Sequence, residues 1–248
     1  MSLKLTNVVL PGTGYRHISE FIVEDIFADL PNKSGVVGAY FLSSQVGSPL
    51  NNYANLNVPL LKIGSPVVGS KYATTGTTNF YDTQLPSTPV MTVMGISLPG
   101  ADSQNGVLLA NYSQSPISGD TLHYYLGHAR AFGQMESSIA SADTVVPTTD
   151  LPAGVLAITG GVIKNASVKA FAYNPVTNAM ISSISTSAGR TVITDRTLRL
   201  GTSYATTQFT GGSSVSVVLV YNVELTDAQI LANAQWLKNS FGMEWGLW

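Results

Sequence analysis

The chain reads as an all-β protein, an antiparallel β-sandwich with one short helix at its end. Three observations lead there. Strand-length runs of β-branched and aromatic residues recur, each closed by Gly, Pro or Ser. No helix-length pattern separates one run from the next, which argues against a βαβ sheet. Helical periodicity is clear only in the last stretch, "YNVELTDAQILANAQWLKNSFGMEWGLW", from Tyr221 to Trp248.

The elements follow in chain order. "SEFIVEDIFADL" (Ser19–Leu30), with Ile18 just before it, places Ile18, Ile22 and Ile26 along one side of a short helix, although its β-branched content suits a strand as well. Pro31 ends it in either case. Residues 1–33 are therefore read as an N-terminal attachment segment, and residues 34–248 as the sandwich. Strands are predicted in "SGVVGAYFLSS" (Ser34–Ser44), "TPVMTVMGISL" (Thr88–Leu98), "TLHYYLGHARAF" (Thr121–Phe132), "GVLAITGGVI" (Gly154–Ile163), "SVKAFAY" (Ser167–Tyr173), "RTLRLGTSY" (Arg196–Tyr204) and "SVSVVLVYN" (Ser214–Asn222). "NPVTNA" after Tyr173 opens on Asn-Pro, a turn signal, so its flanks read as a hairpin.

The terminal helix is predicted at about 227–241. Thr226 and Gln229 have the spacing of a capping box, and Leu225 and Ile230 that of a hydrophobic staple. Ile230, Ala234, Leu237 and Phe241 form one apolar stripe, and Gly242 is placed to end the helix in a left-handed conformation. A stripe of this kind has to cover apolar surface, so the helix is expected to lie on the sandwich as a lid.

Bulk properties narrow the function. With 248 residues the chain can bury a sizeable core without staples. There is no cysteine, which excludes disulfides and thiolate metal sites. Charged residues make up only 10% and are replaced by neutral polar ones, a surface suited to an assembled particle or a lectin. The net charge is −2 with scattered basic residues, so no basic stripe is present for nucleic acid. No apolar run approaches a membrane span, and the first residues carry no signal-peptide pattern.

Three stretches resemble the laminin-G-like, concanavalin-A-like jelly-roll family, in particular its members in phage tail and particle-associated proteins. The most specific is "LRLGTSYATTQFTGGSSVSVVLVYNVELTDAQILANAQWL" (198–237): a Leu-x-Leu-Gly strand, a Gly loop, a strand ending in Tyr-Asn, then Leu-Thr-Asp-Ala-Gln and a helix. "NFYDTQLPSTPVMTVMGISLPG" (79–100) and "GVLAITGGVIKNASVKAFAYNPVTNAMISS" (154–183) are similar to the family's central strands. The similarity runs from about Lys71 onward. It implies a jelly-roll sandwich. The Asp and Asn ligands of the family's calcium site do not fall on matching positions, so calcium binding is not carried over.

Motifs of catalysis are sparse. Jelly-roll glycosidases present two carboxylates on alternate positions of a strand, and no Glu-x-Asp pair occurs. Asp82, Asp102, Asp120, Glu136, Asp143, Asp150 and Asp195 stand apart in sequence, and Glu20, Glu24, Asp25 and Asp29 read as a solvated face. "GSPVVGSK" (Gly64–Lys71) is a near miss to a phosphate loop, because Ser70 separates Gly69 from Lys71, and it leads into no helix. There is no Gly-x-Ser-x-Gly elbow. Asn32, Asn111 and Asn165 begin glycosylation sequons of a kind common by chance in a Ser-rich chain. If "TLHYYLGHARAF" is one strand, His123 and His128 point to opposite faces and share no metal. On that strand Leu122, Tyr124 and Leu126 face the core. His123 and Tyr125 share the other face, where they either meet a sugar or simply cover the sheet. Tyr112 and Tyr204, in expected loops, are further candidates, and Arg196 and Arg199 differ in parity.

The expectation is a non-enzymatic bacteriophage tail-fibre or baseplate-associated protein, located in the virion, that recognises a bacterial surface polysaccharide. Its ligand-binding candidates are His123, Tyr125, Tyr112 and Tyr204, with no metal and no cofactor. Expected partners are the glycan and other virion tail proteins, without nucleic acid or membrane insertion. A homotrimer would suit a fibre component, although no heptad repeat encodes one. Two alternatives stay open: a structural virion component that binds no sugar, and a polysaccharide-degrading enzyme.

Overall fold

A computed structural model of the chain describes residues 26–98, 106–114, 117–125, 128–133, 156–186 and 189–248. The strands are β1 (Val36–Phe41), β2 (Leu61–Ile63), β3 (Val67–Val68), β4 (Ala73–Thr74), β5 (Phe80–Pro86), β6 (Met91–Leu98), β7 (Gly106–Ala110) and β8 (Ser113–Gln114). They continue with β9 (Ile117–Ser118), β10 (Thr121–Tyr125), β11 (His128–Phe132), β12 (Ala157–Lys164), β13 (Ser167–Asn174), β14 (Ala179–Thr186), β15 (Thr197–Leu200) and β16 (Ser214–Tyr221). Helix α1 (Asp227–Leu237) runs into a π-helical turn, Lys238–Gly242.

Two antiparallel sheets stack on each other, so the expected jelly-roll sandwich is the fold observed. The eight-stranded sheet runs β14-β13-β12-β6-β16-β4-β3, with β1 also on β16. The six-stranded sheet runs β11-β10-β7-β15-β5-β2. A bulge at Ser216 divides one edge of β16 between two partners, β4 at Ser214 and Val215 and β1 from Val217 onward.

Period-two alternation divides the side chains between layers. Val93, Val215, Val218 and Val220 meet Tyr81, Leu109, Leu122, Leu198 and Leu200 between the sheets. The other face of the eight-stranded sheet carries Met94, Ile96, Phe171, Tyr173, Leu219 and Tyr221, and these pack under Ile230, Ala234, Leu237 and Phe241. Each aliphatic side chain fully buried in this way contributes roughly 1.5–3 kcal/mol. The helix is therefore a third layer over the outside of one sheet. That is why β12 and β16 read as nearly continuous apolar runs, since both of their faces are covered.

The helix start is as read from the sequence. Gln229 N donates to Thr226 Oγ1 at 3.3 Å, and Thr226 N donates to Gln229 Oε1 at 2.9 Å. The end differs from expectation. The chain remains helical past Gly242, and the left-handed residue is Gly246 at φ +59°. Gly242 is instead a point of close approach, where a Cβ would sit 2.2 Å from the Trp248 indole.

Two further readings change. "TLHYYLGHARAF" is the β10–β11 hairpin, so parity along a single strand does not apply to His123 and His128, and Leu126, expected to face the core, lies outside the described residues. Residues 19–25 of the N-terminal helix-or-strand stretch lie outside the described residues, and 26–29 form a turn. From that turn Leu30 is buried against the helix layer. Asn32 donates through its backbone N and its Nδ2 to Asn233 Oδ1, both at 3.1 Å, and Asn233 Nδ2 donates to Tyr221 OH at 2.8 Å. The segment before β1 is thus fastened to α1. Among the described residues no helix is long and apolar enough to cross a membrane.

Candidate functional site

The helix layer occupies one outer face of the sandwich, and no helix among the described residues covers the outer face of the six-stranded sheet. Strand β15 sends Leu198 and Leu200 into the core and Thr197 and Arg199 outward. Register places Arg199 opposite Asp82 of β5 on one side and Ala110 of β7 on the other. Leu61 and Ile63 of the edge strand β2 pair with Asp82 and Phe80, and both are exposed on the rim.

Tyr204 lies beside β15, held by its backbone N donating to Tyr112 O at 2.8 Å. The Arg199 guanidinium carbon is 3.3 Å from the Tyr204 ring centroid and 4.7 Å from that of Phe80. Such cation–π contacts contribute about 0.5–2 kcal/mol each, depending on desolvation. Asp82 accepts from Thr197 Oγ1 at 2.7 Å and from Gln84 N at 2.8 Å. Thr197 has one proton and gives it to Asp82, so at 3.1 Å the Tyr204 hydroxyl donates to Thr197 Oγ1. The result is a half-buried Tyr204–Arg199 stack, backed by the Phe80 ring, itself only 6% exposed, beside a hydrogen-bonded relay that ends on a carboxylate. Arg196 precedes β15, so strand parity does not place it. It pairs with Asp195 at 3.5 Å, and its guanidinium carbon is 5.8 Å from the Tyr204 centroid.

The other sequence candidates are placed differently. His123 does face outward from β10, but it is only 6% exposed, because the Phe209 ring covers it at 4.4 Å. Tyr112 is 2% exposed, edge-on to Phe209 at 4.9 Å, and donates to Gln208 Oε1 at 2.7 Å. Phe209 has a left-handed backbone at φ +54°, a strained conformation for a bulky residue. Both side chains thus belong to a plug formed by the loop before β16 and offer little surface to a ligand. The cavity beside His123, lined by Leu108, Leu122, Tyr124, Ala129, Thr159 and Gly160, has about 10 Å³, room for one water and no sugar. Tyr125 ends β10 opposite His128, and its side chain lies outside the described residues. Among the candidates whose side chains are described, Tyr204 belongs to the platform and His123 and Tyr112 do not. Phe80 and Thr197 were not singled out, and Asp82 and Arg199 were read as standing apart, although the alternation Thr-Leu-Arg-Leu in β15 already sets Thr197 and Arg199 on one face.

Asp120 is the other carboxylate of note. Its side chain is 3% exposed and that of Arg190 is 1% exposed, and Arg190 Nη2 donates to Asp120 Oδ2 at 2.6 Å. Arg190 Nε reaches Oδ1 at 3.3 Å, and Nη1 donates to the carbonyls of Thr88 and Pro89. Ser87 Oγ donates to Asp120 Oδ2 at 2.7 Å, and Asn111 joins through Ser87. This is a structural clip, and the Asn111 sequon lies buried within it. Among the described residues no group of three or more His, Asp or Glu is placed to hold a metal.

No protein-family model matches the chain, and neither does any curated protein sequence. Solved structures do match. Domain 4 of AbnA, a GH43 extracellular arabinanase from Geobacillus stearothermophilus, in complex with arabinotriose, is similar at 13% identity and TM-score 0.55 over 82% of this chain and all of that domain (100%). Trypanosoma rangeli sialidase in complex with sialic acid is similar at 13% identity and TM-score 0.55 over 85% of this chain. A mutant of that sialidase displaying trans-sialidase activity is similar at 12% identity and TM-score 0.54 over 84%. The chain spans about a third of the length of the sialidases, 34% and 33% respectively. At this identity the likeness is one of fold, a β-sandwich shared with domains of carbohydrate-active proteins.

Proposed function

We propose that the chain is a bacteriophage tail-fibre or baseplate-associated protein whose six-stranded sheet recognises a bacterial surface polysaccharide without cleaving it. The observation that carries the binding reading is the Tyr204–Arg199–Phe80 platform beside the Asp82–Thr197 relay. Aromatic and guanidinium planes suit sugar ring faces, while aligned hydroxyl and carboxylate groups suit sugar hydroxyls. The structural neighbours support the same reading, since the arabinanase domain is in complex with arabinotriose. The sparsely charged, neutral polar surface supports the particle setting. The absence of cleavage rests on the sequence, which lacks an alternating carboxylate pair, and on Asp120 being committed to Arg190. Individually weak contacts of this kind gain strength when many copies act on one particle.

The test is retention of purified protein on a panel of bacterial surface polysaccharides, with reducing-end release measured in the same samples. Retention without release, weakened roughly tenfold by Tyr204→Ala, is the expected result. Release would establish an enzyme. No retention across the panel would leave a structural virion component that binds no sugar.

A further inference from the structure

Arg199 differs from the other well-described arginines in having no counter-ion. Arg190 is fully paired with Asp120, and Arg196 pairs with Asp195. Among the described residues no carboxylate oxygen lies within 4.0 Å of the Arg199 guanidinium. Asp82 faces it in register, but both Asp82 oxygens are turned to Thr197 and the backbone of Gln84.

The hydrogen bonds of Arg199 are as sparse as its charge partners. It makes one long hydrogen bond, Nη1 to Ser203 O at 3.5 Å, and its buried Nε has no acceptor. The rings of Tyr204 and Phe80 attract the cation and hold the planar group in place, yet they accept none of its in-plane N–H bonds. A half-buried guanidinium held flat, with its donor fork unfilled, is preorganised for a planar anion that accepts two parallel hydrogen bonds.

We propose that Arg199 receives the carboxylate of an acidic sugar residue, so that the recognised polysaccharide is one bearing uronic or similar carboxylated sugars. This rests on the glycan-binding reading above and specifies its substrate class. The neighbouring chemistry is complementary. Asp82 keeps lone pairs for donating sugar hydroxyls, so a ring with a carboxylate at one end and hydroxyls along its side spans Arg199 and Asp82. Exposed Leu61 and Ile63 form an apolar shoulder beside it.

The test uses the full chain, isotope-labelled, titrated with sodium glucuronate and galacturonate and, separately, with glucose and galactose. The Arg199 Nε–H and tyrosine ring signals are followed by NMR. Uronates are expected to bind about tenfold or more tightly than the neutral hexoses and to shift the Arg199 signal. Arg199→Met, which keeps an apolar stem between the rings, is expected to remove that preference. Arg199→Lys, which keeps charge without the fork, should retain only part of it and serves if the methionine variant fails to fold. Equal affinity for acidic and neutral sugars overturns the carboxylate assignment and leaves a neutral-glycan site standing. A preference that survives Arg199→Met also overturns it, as does the absence of binding by every sugar into the tens of millimolar. In that last case the polysaccharide panel still decides the receptor reading independently.

Discussion

Replacing Arg190 with Met removes the buried partner of Asp120 at nearly constant volume. It leaves a carboxylate that is 3% exposed with Ser87 as its remaining side-chain donor, and it strips the carbonyls of Thr88 and Pro89 of the guanidinium. Breaking one side of a buried pair costs about 3–5 kcal/mol. For a chain of this length that corresponds to a fall in Tm of about 6–20 °C. Asp120→Asn should cost a similar amount, because Arg190 then keeps its charge without a counter-ion. The double variant should cost clearly less than the sum, since neither partner is left with an unpaired charge. The assay is equilibrium denaturation of all four proteins, read by tryptophan fluorescence. Single variants within about 1 kcal/mol of the parent, or a strictly additive double variant, would show that the pair is a solvated contact and refute the reasoning.

Burial raises the phenol pKa of Tyr40, Tyr81, Tyr112, Tyr124, Tyr173 and Tyr221 above the ordinary 10.0. The folded state therefore holds protons that the unfolded state loses first, and this contribution to stability is complete below about pH 10 and declines above it. The denaturation midpoint should show no loss from these groups between about pH 7 and 9 and should fall beyond about pH 10; a midpoint unchanged at about pH 11 would contradict this. Gly242→Ala places a methyl group against the Trp248 indole, so it should cost about 1–3 kcal/mol and red-shift tryptophan emission. An unchanged spectrum would mean that Trp248 does not pack there.

What could be read from the sequence was what local chemistry decides. Thr226 and Gln229 hold the capping box because its parts are three residues apart, and the β13–β14 hairpin follows from Asn174-Pro175. What could not be read depended on distant partners. The strand β7, "GVLLA", shows no alternation because both its faces are covered, and it was missed. "TLHYYLGHARAF" looked like one strand, yet it holds two, β10 and β11. Asp120 looked isolated because its partner is 70 residues away. His123 looked available for the same kind of reason, since its cover, Phe209, comes from a loop that strand parity cannot foresee. Tyr204 was legible as an aromatic loop residue, while its stacking on Arg199 depended on how that loop returns over β15.

The position of β16 sets an order on how the protein can be made. This strand follows β1, β4 and β6 in the chain, yet all three hydrogen-bond to it. While a ribosome is still producing residues before Ser214, those three strands are present without their common neighbour, and their apolar faces and unpaired edges are open to other nascent chains. The larger sheet can close only once β16 has been made, and α1, which follows it directly, then covers it. A chain stopped before Ser214 should therefore hold a sticky, partly formed sheet, and slow synthesis of β16 should favour aggregation over assembly.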